Sequence, residues 1–151
     1  MTSKEAKELV FSLLNAANET LAVKDRVQID MPATFSNFKF NHQRCHILVF
    51  YSGSGFAKSE TTDIIKQDRD IEIGIMIGVR INQKSKDPEE YLEFVIDALS
   101  GQVVNDDRPD NMIYCLSDEY LDEESSDVTL IKWHGVTFAV PATYLELSLR
   151  T

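Results

Sequence analysis

Cysteine is scarce in this chain: Cys45 and Cys115 are the only two among 151 residues. Two are too few for a disulfide framework, so both read as reduced packing residues. Proline and glycine are also thin, at four and six, which excludes a collagen-like, linker-like or disordered chain. Long apolar runs are missing. No stretch approaches the roughly 18 residues that span a bilayer, and the start, MTSKEAKELV, lacks the apolar core of a signal peptide. The expectation is a protein made and kept in a cytoplasm, with no membrane partner. Basic residues are outnumbered by acidic ones, 15 to 25, for a net charge of −10. A broad basic footprint for gripping nucleic acid is therefore absent, because such binding needs several Lys or Arg on one face.

What is present is the composition of an ordinary globular domain, 43% hydrophobic and 26% charged. A chain of this length buries roughly 68–70% of the surface its unfolded form exposes, which predicts one domain over residues 1–151. The charge is concentrated. Residues 106–127 hold nine acids (Asp106, Asp107, Asp110, Asp118, Glu119, Asp122, Glu123, Glu124 and Asp127) against one base, Arg108, a net −8. The rest of the chain is nearly balanced.

Apolar residues at steps of three and four (Ala6, Leu9, Val10, Leu13, Leu14, Ala17, Leu21) predict an amphipathic helix over 3–22, and Thr2 with Glu5 has capping-box spacing. A second helix over 88–100 is punctuated by Asp87 as cap, Pro88 at the first position, Glu90 completing the box and Gly101 as stop. Its apolar set, from Tyr91 to Leu99, is wider than one stripe, which suits a helix that is deeply packed or shared between a core and a partner.

Strands fill the remainder. Residues 45–51 form a continuous apolar run, and from Arg69 to Ile81 the alternation is strict, with Ile71, Ile73, Ile75, Ile77, Val79 and Ile81 on one face. Further strands are predicted at 112–116, 128–140 and 144–149, with a bulge or bend at Trp133-His134-Gly135. Helices segregated from strand pairs predict an α+β fold: a mainly antiparallel sheet packed on two principal helices as a single-domain sandwich. Residues 52–68 read as a polar loop and 102–127 as an acidic excursion; connections of such length tend to be functional.

Chemical motifs do not assemble. Ser52-Gly53-Ser54-Gly55-Phe56 follows a strand, but Lys58 stands where the third glycine of a dinucleotide loop belongs, and no P-loop spacing occurs. Cys45 and His46 alternate to opposite faces of a strand and cannot close on one ion, and His42 and Cys115 complete no recognised metal spacing. The acidic stretch lacks the EF-hand register, and His134 inside a strand reads as a packed or rim residue. The expectation is no catalytic residue, no cofactor and no metal.

Association is the reading that remains. The second face of the Arg69–Ile81 strand presents Gly74, Met76 and Gly78, bare enough for another backbone or helix to approach. These three, with Ser52, Gly53, Ser54, Gly55 and Phe56, are the candidate oligomer or tube interface. Rival classes are a binding adaptor that works as monomer or dimer, and a metal-assisted hydrolase in which His134 meets the acidic cluster.

The run His46 to Gly55, a polar loop, the alternating strand Ile71 to Ile81, the Pro88 to Gly101 helix closing in Leu99-Ser100-Gly101, the Asp118-Glu119 to Val128 segment and a last long strand from Trp133 to Val140 resemble the tail terminator proteins of Mu-like and related contractile-tailed phages. The resemblance covers about residues 3–145; the strongly acidic segment after the second helix is a departure. It implies a subunit of a hexameric ring at the tail–neck junction of the virion, assembled in the host cytoplasm. Such a ring caps the completed tail tube, stops tube and sheath polymerisation, meets a neck or head-completion protein, and passes DNA only as cargo. On that footing the nine acids face either the lumen, repelling DNA phosphates, or a basic partner. Another neck or tail-completion role is the neighbouring alternative.

Overall fold

The computed structural model describes residues 1–34, 44–59, 64–81, 87–125 and 130–146. Thr2 caps helix α1 (Ser3–Glu19) with the reciprocal Thr2–Glu5 capping box that the spacing predicted. Ala6, Val10 and Leu14 form its buried stripe. The helix stops three residues short of the predicted end, where a short 3-10 turn (Val23–Asp25) begins. Asn18 fastens this corner, its side chain accepting from the Val27 amide at 2.9 Å and donating to the Val27 carbonyl at 2.7 Å.

Five strands then make one sheet: β1 (Gln28–Asp30), β2 (Cys45–Phe56), β3 (Ile65–Arg80), β4 (Tyr114–Ser125) and β5 (Leu130–Glu146), in the order β1-β2-β3-β5-β4. β1 pairs parallel to β2; every other pair is antiparallel. Helix α2 (Pro88–Leu99) starts with Pro88 at its first turn and ends before Gly101, at φ 81°. The Asp87 side chain makes no capping bond; instead its carbonyl accepts from the Glu90 amide at 3.0 Å.

Both helices pack on one face of the sheet. Ile71, Ile73, Ile75, Ile77 and Val79 of β3 are buried there with Ile47, Val49, Val136 and Phe138, under Val10, Leu14, Val95 and Leu99. This is the alternation visible in the sequence, and β3 is central, so its apolar side chains have the helices to cover them. On the opposite face a smaller cluster gathers Leu48, Ile131 and Trp133, with half-buried Phe50 and Met76. The second stripe of α2, Phe94, Ile96 and Ala98, is only partly buried against the core.

About half of the long connections of the sequence reading is strand. Of residues 52–68, those through Phe56 extend β2 and those from Ile65 begin β3, paired as Ser54 with Ile71 and Phe56 with Arg69. The ladder is made of backbone, so polar side chains at a sheet end that meets solvent do not prevent it. For the same reason nearly half of the acidic excursion is an edge strand, β4. The two predicted C-terminal strands are one over residues 130–146, the remainder of both predictions lying outside the described residues. Pro141 lies within β5 where β4 has already ended, Tyr114 with Ala139 being the first β4 pair, an edge-like position that proline tolerates. The bulge expected at Trp133-His134-Gly135 falls in the opposite strand, between Tyr120 and Asp122, and sets Leu121 over Gly135.

Candidate functional site

Three surfaces gather the residues singled out above. The first is an arm, formed where β2, β3 and β5 run on past the start of β4. The register slips by one residue between Tyr51 and Gly53, and Gly53 takes φ 151°, which a side chain would strain. The slip brings Ser54 within 2.9 Å of the Tyr51 hydroxyl, and the Arg69 Nε donates to the Ser54 Oγ at 3.1 Å. The Ser54 hydrogen bond, then that of Arg69, holds the Tyr51 phenol below its usual pKa. The Arg69 guanidinium sits 5.2 Å over the Phe56 ring, and Tyr144 meets that ring edge-on at 6.2 Å. Phe56 is 52% exposed, Tyr51 44% and Tyr144 40%. The sequence singled out Phe56 but missed Tyr51, Arg69 and Tyr144, which the ladder alone brings alongside.

The second surface is the sheet face away from the helices. Here Gly78 is buried: a Cβ on it would lie 2.6 Å from the indole of Trp133, so its bare backbone admits a side chain of the same chain. Ser52 fills the space beside Gly74 in the same way. Met76 is half-buried with Phe50 beside the Trp133 cluster. Next to them a groove of about 410 Å³ crosses the sheet, floored by Gly74, Gly135 and Thr137 and reaching from Phe50 to Glu119 and Leu121.

The third is the acidic stretch, which the fold divides in two. Asp106 and Asp110 belong to a loop clasped by Arg108, the one base of the stretch. Its guanidinium, 8% exposed, donates to both Asp110 carboxylate oxygens at 2.9 and 2.6 Å, to Asp70 at 2.8 Å, and to the carbonyls of Arg69 and Ala142 at 3.2 Å. The Asp106 carboxylate accepts from the Arg108 amide at 2.9 Å and from the Thr143 hydroxyl at 3.0 Å. Burial works against the Arg108 charge, but the bonds to Asp110 and Asp70 outweigh it and raise its pKa. Asp107 is exposed on this loop. The remaining acids lie on β4. Asp118 meets the His134 Nε2 at 3.1 Å, Glu119 is exposed at the groove, the Asp122 carboxylate accepts from the Glu123 amide at 2.7 Å, and Glu123 lies 3.9 Å from the Lys132 Nζ. Glu124 continues the strand, and Asp127 lies outside the described residues.

The clasp carries a pH prediction. The Arg108 hydrogen bond holds the Asp110 carboxyl below its ordinary value of 3.8. A depressed carboxylate stabilises the fold above its unfolded pKa, and that contribution is lost as pH falls through the folded one. Urea midpoints of the wild type should therefore drop below pH 3.8 more steeply than those of Asp110→Asn, the two curves converging in acid. Parallel curves would refute the clasp's contribution.

The candidate metal ligands do not converge. Cys45 is buried on the helix side, and burial pushes its thiol far up in pKa; burial, then Asp118, raises Cys115 as well. His46, buried on the other face, pairs with Asp30 of the neighbouring strand. His42 lies outside the described residues. Among the described residues, no group of three His, Cys, Asp or Glu could hold a metal ion, and no helix is long and apolar enough to cross a membrane.

No curated protein matches the chain. A family model described as "Gp37 protein" matches residues 16–148, which takes in all five strands and α2 as well as the arm, the groove and the acidic edge. With most of its length matched, the chain belongs to the Gp37 protein family, a phage-related family.

Proposed function

We propose that this protein is a non-catalytic, structural virion-assembly protein: a tail terminator that forms a ring at the tail–neck junction. It caps the completed tail tube, ends tube and sheath polymerisation, and offers the surface for head joining. The observation that carries this reading is the coexistence, on a chain of a phage-related family, of two unlike surfaces: an exposed aromatic arm and an acidic edge strand. The arm of one copy against a different patch of the next is a heterologous contact, which closes into a ring by rotation. Aromatic and Arg side chains are the groups that most often dominate such contacts. The acids of β4 are left at the rim or the lumen, where they meet a basic partner or keep DNA phosphates from sticking.

Light scattering of the purified protein should give a ring mass that is a multiple of 17.2 kDa, and particles made without it should carry overlong tails in electron micrographs. A mass that stays monomeric across concentration, or tails of normal length, would sink the reading. Replacing Asp122, Glu123 and Glu124 by Ser should leave the ring mass unchanged and lower infectivity, through ejection or joining. Full infectivity of that variant would exclude both roles for the edge.

A further inference from the structure

We propose that the groove on the helix-free face of the sheet is a docking site for a basic segment of a different polypeptide, which seats one bulky apolar side chain between Phe50 and Leu121. This deepens the reading of β4 as a partner-facing surface and rests on it, but not on ring formation. Gly74 and Gly135, beside which Ser52 and Leu121 pack, floor the groove, with Thr137 between them on the same face. Its volume, about 410 Å³, lies within the ~300–1,000 Å³ of pockets that enclose a compact organic group. Leu121, thrown onto Gly135 by the β4 bulge, makes one wall, and half-buried Phe50 stands at the other end.

Charge selects the occupant. Glu119 lines the groove itself, and Asp122, paired with Trp133, shares its face of the sheet, while Asp118 and Glu123 pair with helix-side residues of β5. The surface of a second copy outside residues 106–127 is nearly balanced in charge and offers this wall little attraction, whereas a Lys- or Arg-bearing segment is drawn to it. Simple addition of a strand to the edge is not the mode. β4 carries two register shifts, between Cys115 and Ser117 and between Tyr120 and Asp122, and bulges with charges are what keep a sheet edge from pairing. The apolar anchor therefore enters over the face, and its neighbouring bases meet Glu119 and Asp122.

The test uses the whole protein and a fluorescein-labelled peptide, Gly-Lys-Trp-Lys-Ala-Lys, read by anisotropy. Saturable binding that weakens with salt is expected, together with a loss of at least about tenfold on each of three changes: Thr137→Phe, which fills the floor; Glu119→Lys, which reverses the wall charge; and Trp to Ser in the peptide. A peptide with Glu for each Lys should not bind. If Thr137→Phe does not fold, Glu119→Lys, at an exposed position, decides alone. No binding by the wild type, or binding indifferent to Glu119→Lys, overturns the proposal. So does a change in light-scattering mass caused by Glu119→Lys, which would make the occupant a second copy. A ring that ignores the peptide overturns this inference and leaves the ring standing; a monomer that binds it does the reverse.

Discussion

Gly78→Val is expected to lower stability by about 3 kcal/mol, at the upper end of what overpacking a core costs. A Cβ at Gly78 would sit 2.6 Å from two indole carbons of Trp133 and 3.0 Å from a third, and valine adds two methyl groups beyond it. Trp133 is 3% exposed and is held by Leu48 and Ile131, so it cannot turn aside without leaving its cluster. Either the ring stays and the β3–β5 ladder spreads, or it is expelled and its apolar area meets water. Trp133 is the only tryptophan, so its emission reports which. A red shift together with a lower urea midpoint is the expected result. Trp133→Leu should itself cost stability through the cavity it opens, and combining it with Gly78→Val should cost less than the two single losses added, because the shortened side chain makes room. An unchanged midpoint for Gly78→Val would mean that the indole has another place to go.

Arg108→Ala is the second large effect, expected at about 2 kcal/mol. Removing one partner of a fully buried ion pair costs roughly 3–5 kcal/mol, and exposed pairs are worth about 0–1. The Arg108 side chain is 8% exposed but its partners Asp70 and Asp110 are 39% and 63% exposed, so the value falls between. The loss is not only ionic. The same guanidinium donates to the carbonyls of Arg69 and Ala142 and so ties the loop to β3 and β5 together. Arg108→Lys should recover little, since an ammonium cannot fork onto Asp110 while reaching Asp70. Amide exchange should locate the damage, with protection lost first at Val104 and Ile113, which bond across the loop to Asn111 and Gln102. A variant as stable as wild type, with the loop still protected, would refute the clasp.

The amount of this that was legible in the sequence follows from what each signal depends on. The Thr2–Glu5 box, Pro88, Gly101 and the isoleucines of β3 are local or periodic features, and each does in the fold what its spacing predicted. The 52–68 and 117–125 stretches read as loops because their side chains are polar, yet most of their residues are strand. The ladder is satisfied by backbone, and at a sheet end or an edge the side chains need not be buried to permit it. Their polarity describes exposure, which a strand at a sheet end or edge shares with a loop.

The candidate surfaces divide along the same line. The order of charges along the sequence determined that the acidity is concentrated in one stretch with a single base. Only tertiary structure decided that Asp106 and Asp110 are bound into a clasp while Asp118, Glu119, Asp122 and Glu123 lie along an edge. It also decided that Gly78 makes room for Trp133 and that Tyr51, Phe56, Arg69 and Tyr144 meet on the arm. Periodicity and charge are properties of neighbours along the chain, and these the sequence states outright. Which side chain fills a glycine's empty space, or which carboxylate an arginine reaches, depends on strand register between segments tens of residues apart, and no local pattern encodes it.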